Sequence, residues 1–101
     1  MKKILLCCAA GMSTSLLVNK MKAEAEKRGI EVEIWAEPLD KAKEEFAKAD
    51  VVLLGPQVKY ALPEAKKIAE ENNINIDVIN MVDYGMMNGA KVLDQALNLI
   101  K

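Results

Sequence analysis

The chain contains no histidine and only one arginine, Arg28, among its 101 residues. Without an imidazole it lacks both the most frequent general base and the commonest nitrogen ligand of metal ions. We therefore expect neither a metal nor a cofactor. Basic and acidic residues nearly balance, at 14 and 15, and the lack of a basic surplus argues against a nucleic-acid partner.

Cysteine is also scarce, since Cys7 and Cys8 are the only two. Neighbouring residues of a strand point to opposite faces, so a disulfide between them would be strained. No disulfide framework is predicted, which favours a reducing cytosol. No apolar run reaches transmembrane length, and the short apolar start lacks the features of a signal peptide. We expect one cytoplasmic domain over residues 1–101, not inserted in a membrane.

Strand-like and helix-like patterns alternate along the whole chain. Two short runs are uniformly apolar, and two others alternate between apolar and polar residues, as half-buried strands do. In the second strand this pattern places Trp35 on the wet face. Gly29 is suited to ending the first helix, and Pro63 is tolerable only in a first turn. The predicted strands are 4–8, 31–36, 51–54 and 74–79, and the predicted helices are 13–27, 39–47, 60–71 and 88–100.

Such alternation is typical of an α/β fold with a parallel sheet and helices on both faces. The uniformly apolar first and third strands should be central, and the alternating second and fourth strands should be edges. This predicts four strands in the order 2-1-3-4, a flavodoxin-like arrangement shared with the low-molecular-weight phosphatases. Ligands bind such sheets where the strand order reverses, beyond the carboxyl ends. Three predicted loops meet there: 9–12, 55–57 and 80–85.

The first of these loops carries the chemistry. Cys8 ends the first strand, and a run of small residues then opens into a helix. Backbone N–H groups at a helix N-terminus bind phosphate and favour a thiolate. The sequence therefore predicts that Cys8 carries a phosphoryl group, with Cys7 packed in the core. We predict phosphate binding by Ala9, Ala10, Gly11, Met12, Ser13, Thr14 and Ser15, one of the hydroxyls capping the helix, and place Gln57 and Tyr84 as secondary residues lining the site.

The lack of an arginine near Cys8 indicates which reaction the phosphoryl group undergoes. Cysteine-dependent phosphatases clamp the phosphoryl group with an arginine, and Arg28 falls at the far end of the predicted helix. Transfer of the phosphoryl group to a docked partner is therefore favoured over its hydrolysis. A small cysteine phosphatase or arsenate reductase stays open as an alternative, although it would need an arginine where this chain has Thr14. A thiol redox module is a further alternative, although Cys7 and Cys8 lack C-x-x-C spacing.

The chain resembles the enzyme IIB components of the lactose/cellobiose class of sugar phosphotransferase systems. The resemblance is carried by Cys8-Ala9-Ala10-Gly11-Met12-Ser13-Thr14-Ser15-Leu16-Leu17, by Val51-Val52-Leu53-Leu54-Gly55-Pro56-Gln57 and by Tyr84-Gly85. It implies a phosphotransferase whose Cys8 takes phosphate from a phosphohistidine of enzyme IIA. The phosphate then passes to a sugar of the cellobiose, lactose or chitobiose type, bound by the membrane permease enzyme IIC. Cys7 departs from the family, which tends to have a bulky apolar residue there.

Overall fold

The computed structural model describes residues 1–8 and 12–100, without the side chains of Met12, Ser13 and Thr14. Strands and helices alternate as predicted. The strands are β1 (Lys2–Cys8), β2 (Val32–Pro38), β3 (Val51–Leu54) and β4 (Asn75–Val78). The α-helices are α1 (Met12–Arg28), α2 (Leu39–Glu45), α3 (Leu62–Glu71), α4 (Met81–Gly85) and α5 (Gly89–Leu99), and 3₁₀ helices span Phe46–Lys48 and Pro56–Ala61.

All neighbouring strands pair in parallel, and the sheet order is β2-β1-β3-β4. In the middle of the sheet, Leu5 lies opposite Trp35 on one side and Val52 on the other. The predicted order and the predicted edge strands are therefore confirmed. Because every strand runs the same way, the segments that follow β1, β3 and β4 all leave from the same edge of the sheet.

The alternation of β1 divides the core into two layers. Ile4 and Leu6 pack with α1 and α5, whereas Leu5 and Cys7 face the opposite layer. The first layer is formed by Ile4, Leu6, Leu17, Val18, Met21, Ala25, Ile34, Val51, Leu53, Ile79, Val92, Leu93 and Ala96. The second layer is formed by Leu5, Cys7, Ala42, Phe46, Ala49, Val52, Leu54, Val58, Ala65 and Ala69.

Trp35 corrects one prediction. The alternation of β2 placed it on a solvent-facing side, but it is half-buried and packs against the layer that contains Phe46. Helix α2 and the 3₁₀ turn after it cover that side of the sheet, so both faces of β2 are partly shielded. A period of two identifies which residues share a face, but it does not show whether a later helix covers that face.

Helix α1 ends as its sequence predicts. Gly29 adopts a φ of +71°, which costs glycine little. In this turn the Gly29 N–H donates to the carbonyl of Glu26 and the Ile30 N–H donates to the carbonyl of Ala25. These bonds satisfy two of the last carbonyl groups of the helix. Arg28, the last residue of α1, donates to Glu24 at 2.7 Å and to Asp94 of α5 at 2.6 Å, so its side chain ties the two helices together.

Two segments predicted as loops are helical. Pro56 and Gln57 of the predicted 55–57 loop belong to the 3₁₀ helix Pro56–Ala61, and the predicted 80–85 loop contains α4. Both are short, so neither shows the repeated apolar spacing that identifies a longer helix. Ile100, the last residue of the helix predicted over 88–100, lies just beyond the end of α5 and is half-buried.

Candidate functional site

The candidate site lies at the carboxyl edge of the sheet, where β1 ends beside the first residues that follow β3 and β4. The Gly55 N–H, directly after β3, donates to the carbonyl of Cys7 at 2.8 Å. The Ile79 N–H, directly after β4, donates to the carbonyl of Leu54 at 2.8 Å. The hydrogen bonds between neighbouring strands therefore continue one residue beyond β3 and β4. They fix the start of each following segment relative to the adjacent strand.

Cys8 is the last residue of β1 and lies opposite Pro38 of β2. Its side chain is 1% exposed, and its thiol donates a weak hydrogen bond to the carbonyl oxygen of Glu37, with the two atoms 3.7 Å apart. Among the described residues, Cys8 belongs to neither apolar layer. The thiol is therefore shielded from solvent, although it is not part of either apolar layer formed by the described residues.

Cys7 occupies a different environment, although it is the adjacent residue. It is fully buried in the layer formed by Leu5, Phe46 and Leu54. Burial, together with a smaller effect of the neighbouring Cys8, raises the pKa of the Cys7 thiol to about 12. A thiol that stays protonated in an apolar layer is a poor nucleophile. Both cysteines are free thiols, and they point to opposite faces of β1, which does not favour a redox pair.

The buried Cys7 thiol predicts a loss of stability at alkaline pH. The folded state keeps this proton until about pH 12, whereas the unfolded chain releases it near pH 9. Stability is therefore complete below about pH 9 and declines above it, by about 1.4 kcal/mol per pH unit. Between pH 8 and pH 10, urea unfolding should show that the wild type loses about 1.4 kcal/mol more than Cys7→Ala. Equal losses in the two proteins would contradict this assignment.

The helix start next to Cys8 differs slightly from the prediction. Helix α1 begins at Met12, so Ser13, Thr14 and Ser15 lie in its first turn rather than at its capping position. Ser15 is exposed. The predicted phosphate-binding residues Ala9, Ala10 and Gly11 lie outside the described residues, as do the side chains of Met12, Ser13 and Thr14. Their binding role stays a prediction.

The two secondary residues, Gln57 and Tyr84, meet each other. The side-chain amide of Gln57 donates to the Tyr84 hydroxyl at 2.6 Å, joining the 3₁₀ helix after β3 to α4. The Gln57 side chain folds back over Gly55, where a Cβ atom would overlap its oxygen and lie 3.3 Å from the Cys7 carbonyl. Gly55 thus leaves space for the hydrogen bond between Gln57 and Tyr84. The predicted topology correctly brought both residues to the carboxyl edge of the sheet.

Asn80 is a structural residue that the sequence interpretation missed. Its side-chain oxygen accepts hydrogen bonds from the N–H groups of Val82 and Asp83, at 3.0 and 3.2 Å. It therefore caps α4, a helix of five residues. The signal was present as an asparagine three residues before an acidic residue, a spacing related to the capping box.

The cap predicts a local effect of mutation. Asn80→Ala should cost about 1 kcal/mol of stability, because two N–H groups lose their acceptor. Hydrogen exchange at the Val82 and Asp83 amides should accelerate more than exchange in α5. Asn98→Ala, at an exposed position of α5, is the matched control and should change little. Unchanged exchange in α4 of the Asn80 variant would show that the cap does not hold the helix.

No arginine reaches this edge of the sheet. Arg28 lies at the opposite end of α1, a helix of 17 residues and therefore about 25 Å long, where Glu24 and Asp94 hold it. The arginine clamp that a cysteine phosphatase uses is thus not supplied by this chain. In addition, no helix within the described residues combines the length and hydropathy needed to cross a bilayer.

Together, the doubly wound sheet and a thiol at its switch point define a small flavodoxin-like domain that carries a cysteine. Residues 3–95 match the family model described as PTS system, Lactose/Cellobiose specific IIB subunit. The chain belongs to this family. Its members are phosphotransferases of sugar phosphotransferase systems that act with an EIIC component, and the family implies EIIA and EIIC partners in general.

Relatives in the family carry several sugar names. The chain is 55% identical to the oligo-beta-mannoside-specific EIIB component of Bacillus subtilis (strain 168), over 99% of this chain and 97% of that protein. It is 49% identical to the galactose-specific EIIB component of Lactococcus lactis subsp. cremoris (strain MG1363), over 98% and 96%. The cellobiose-specific EIIB component of Lactococcus lactis subsp. lactis (strain IL1403) is also 49% identical, over 98% and 96%.

Solved structures agree on the fold. The lactose-specific IIB domain of Streptococcus pneumoniae superposes with a TM-score of 0.89 at 22% identity, covering 99% of this chain and 98% of that one. The cellobiose-specific IIB component of Borrelia burgdorferi superposes with a TM-score of 0.81 at 40% identity, covering 98% and 91%. The flavodoxin-like fold predicted from the sequence is confirmed.

Proposed function

We propose that Cys8 is the phosphoryl carrier of this chain, working as one domain over residues 1–101 in the cytoplasm. The observation that carries the proposal is the contrast between two adjacent thiols. Cys7 is sealed in an apolar layer, whereas Cys8 ends a central strand at the switch point of the sheet. Membership of the family supports the same reaction class, because its members transfer phosphoryl groups.

In the first step, the Cys8 sulfur attacks the phosphorus of a phosphohistidine on enzyme IIA. The S–P bond forms while the P–N bond breaks, and the bonding electrons return to the imidazole nitrogen of the donor. The thiol loses its proton first, which ends the hydrogen bond to the Glu37 carbonyl, and one proton is taken up by the released imidazole nitrogen of the donor. The deprotonated sulfur can then turn away from the Glu37 carbonyl, which is an acceptor, and towards the backbone N–H groups of the following loop, which are donors.

The backbone N–H groups of residues 9–15 would hold the transferred phosphoryl group at the start of α1. A helix N-terminus stabilises an anion by its dipole and its unpaired N–H groups. The Gln57–Tyr84 bridge would border the site from the neighbouring loops. Because this chain supplies no arginine to neutralise the phosphoryl oxygens, their negative charge stays available for contacts with a docked partner.

In the second step, a sugar hydroxyl bound in enzyme IIC attacks the phosphorus. The O–P bond forms, the S–P bond breaks, and the sulfur leaves as a thiolate. The chain has no histidine, so we assign removal of the hydroxyl proton to the permease. The relatives named for oligo-beta-mannosides, galactose and cellobiose suggest a sugar of this range, with the choice made by the permease.

The experiment is a reconstituted relay. Phosphorylated enzyme IIA, this protein and vesicles containing the matching enzyme IIC are incubated with cellobiose, galactose, lactose, chitobiose or a β-linked mannose disaccharide. We expect phosphorylation of at least one sugar that depends on this protein. Steady hydrolysis of an aryl phosphate by the protein alone, with no sugar phosphate formed, would instead identify a phosphatase and overturn the proposal.

A further inference from the structure

The side chain of Gln95, a half-buried residue of α5, makes three hydrogen bonds to the segment that joins β4 to α4. Its Nε2 donates to the Val78 carbonyl at 2.8 Å and to Asp77 Oδ2 at 3.3 Å, while its Oε1 accepts from the Asn80 N–H at 3.3 Å. The two backbone partners lie on either side of Ile79. A neutral amide can donate and accept at once, whereas a carboxylate has no hydrogen to donate.

Side chains take the place of a further strand beside β4, which is an edge strand of the sheet. Ile79 is buried, and its N–H bonds to the carbonyl of Leu54 in β3. Successive residues of a strand direct their backbone groups to opposite sides, so those of Val78 point away from β3. There the Val78 N–H donates to Asp77 Oδ1 at 2.8 Å, and the Val78 carbonyl accepts from Gln95. The end of β4 is therefore held from the sheet on one side and from α5 on the other.

Helix α4 depends on contacts of this kind for its position. It has five residues, none of them buried, and so short a helix is not stable by itself. Its start is held at Asn80, whose N–H bonds to Gln95 and whose side chain caps the helix. Further along, the Tyr84 hydroxyl accepts from Gln57 at 2.6 Å. Gln95 is thus the outer end of a series of contacts that leads to the edge bearing Cys8.

We infer that Gln95 is a positioning residue for phosphoryl transfer at Cys8, an inference that rests on the proposed function. Gln95 acts from α5, by fixing the start of α4 and, through α4, the place of the Tyr84 hydroxyl beside Gln57. A displacement of about 1 Å near reacting groups can lower a rate by about a hundredfold. Loss of the Gln95 hydrogen bonds should therefore slow the transfer step and leave the affinity for the donor unchanged.

The test is a double-mutant cycle of Gln95→Leu and Tyr84→Phe. Leucine fills a similar volume without forming hydrogen bonds, and phenylalanine lacks only the hydroxyl. Transfer from phosphorylated enzyme IIA is followed by rapid quench over a range of donor concentrations. We expect each single variant to lower kcat about tenfold at an unchanged KM for the donor. The double variant should also lose about tenfold rather than a hundredfold, because both substitutions break the same series of contacts.

Asn98→Ala, at an exposed position one turn further along α5, is the matched control and should keep the wild-type kcat. Urea unfolding checks that each variant is folded under the assay conditions. If Gln95→Leu does not fold, Gln95→Glu replaces it in the cycle, since a carboxylate keeps the acceptor for the Asn80 N–H and loses the donor to Val78.

Three results would overturn the inference. A wild-type kcat in either single variant would show that the contact is not needed for transfer. Losses that multiply in the double variant would show that Gln95 does not act through Tyr84. A raised KM at an unchanged kcat would place Gln95 in contact with the donor. If the wild type accepts no phosphoryl group at any donor concentration, the proposed function itself fails, which is seen before any variant is compared.

Discussion

Cys8→Ser should abolish phosphoryl relay to sugar, lowering the rate by at least about a thousandfold, because the variant lacks the nucleophile. A serine hydroxyl is hardly ionised near neutral pH, and its oxygen is a poorer leaving group than sulfur. Intact mass after incubation with phosphorylated enzyme IIA should show no transferable adduct, and the reconstituted relay should form no sugar phosphate. The fold should survive, since Cys8 lies outside both apolar layers of the described residues.

Cys7→Ala is the matched control for this experiment. It removes the neighbouring thiol from the buried layer around Leu5 and Phe46, so it should cost about 1 kcal/mol of stability through the small cavity. Phosphoryl transfer should nevertheless proceed at nearly the wild-type rate. If Cys7→Ala loses transfer while Cys8→Ser keeps it, the two roles are reversed and the assignment of the carrier is wrong.

Gly89→Ala should be the most destabilising glycine-to-alanine substitution among the four glycines that the structure describes. Gly89 starts α5 where that helix meets α1, and a Cβ atom there would lie 2.7 to 2.8 Å from the backbone of Lys20 and Met21. Backbone atoms cannot turn aside as a side chain does, so the two helices must separate. We expect a loss of about 3 kcal/mol, which lowers Tm by roughly 10–20 °C in a domain of this size.

Gly85→Ala is the control for that prediction. A Cβ atom at Gly85 would meet no atom within 4 Å, so its thermal unfolding should match the wild type within about 0.5 kcal/mol. Calorimetry of the two variants separates close packing from a general effect of replacing glycine. If Gly89→Ala melts with the wild type, α1 and α5 do not approach as closely as described.

The two cysteines show how far local sequence patterns reach. Strand alternation placed Cys7 and Cys8 on opposite faces, and the structure puts Cys7 in an apolar layer as expected. The burial of Cys8 was not predictable in the same way. Its cover and its contact with the Glu37 carbonyl depend on how β2 ends beside β1, which is a tertiary arrangement that no local pattern encodes.

The segments after β3 and β4 show the same difference between what the sequence pattern predicts and what tertiary packing decides. Topology alone brought the Gln57 and Tyr84 segments together, because parallel strands end at one edge, and their side chains do meet. Helix α4 was missed because a helix of five residues owes its existence to the Asn80 cap and to packing rather than to apolar periodicity.

The most direct measurement is fragment-ion mass spectrometry of the wild-type protein after reaction with phosphorylated enzyme IIA. Cleavage between residues 7 and 8 distinguishes the two thiols within one peptide. We expect one phosphoryl group per chain, located on Cys8 and lost when sugar and enzyme IIC are added. A phosphoryl group on Cys7, or on any residue other than Cys8, would contradict it.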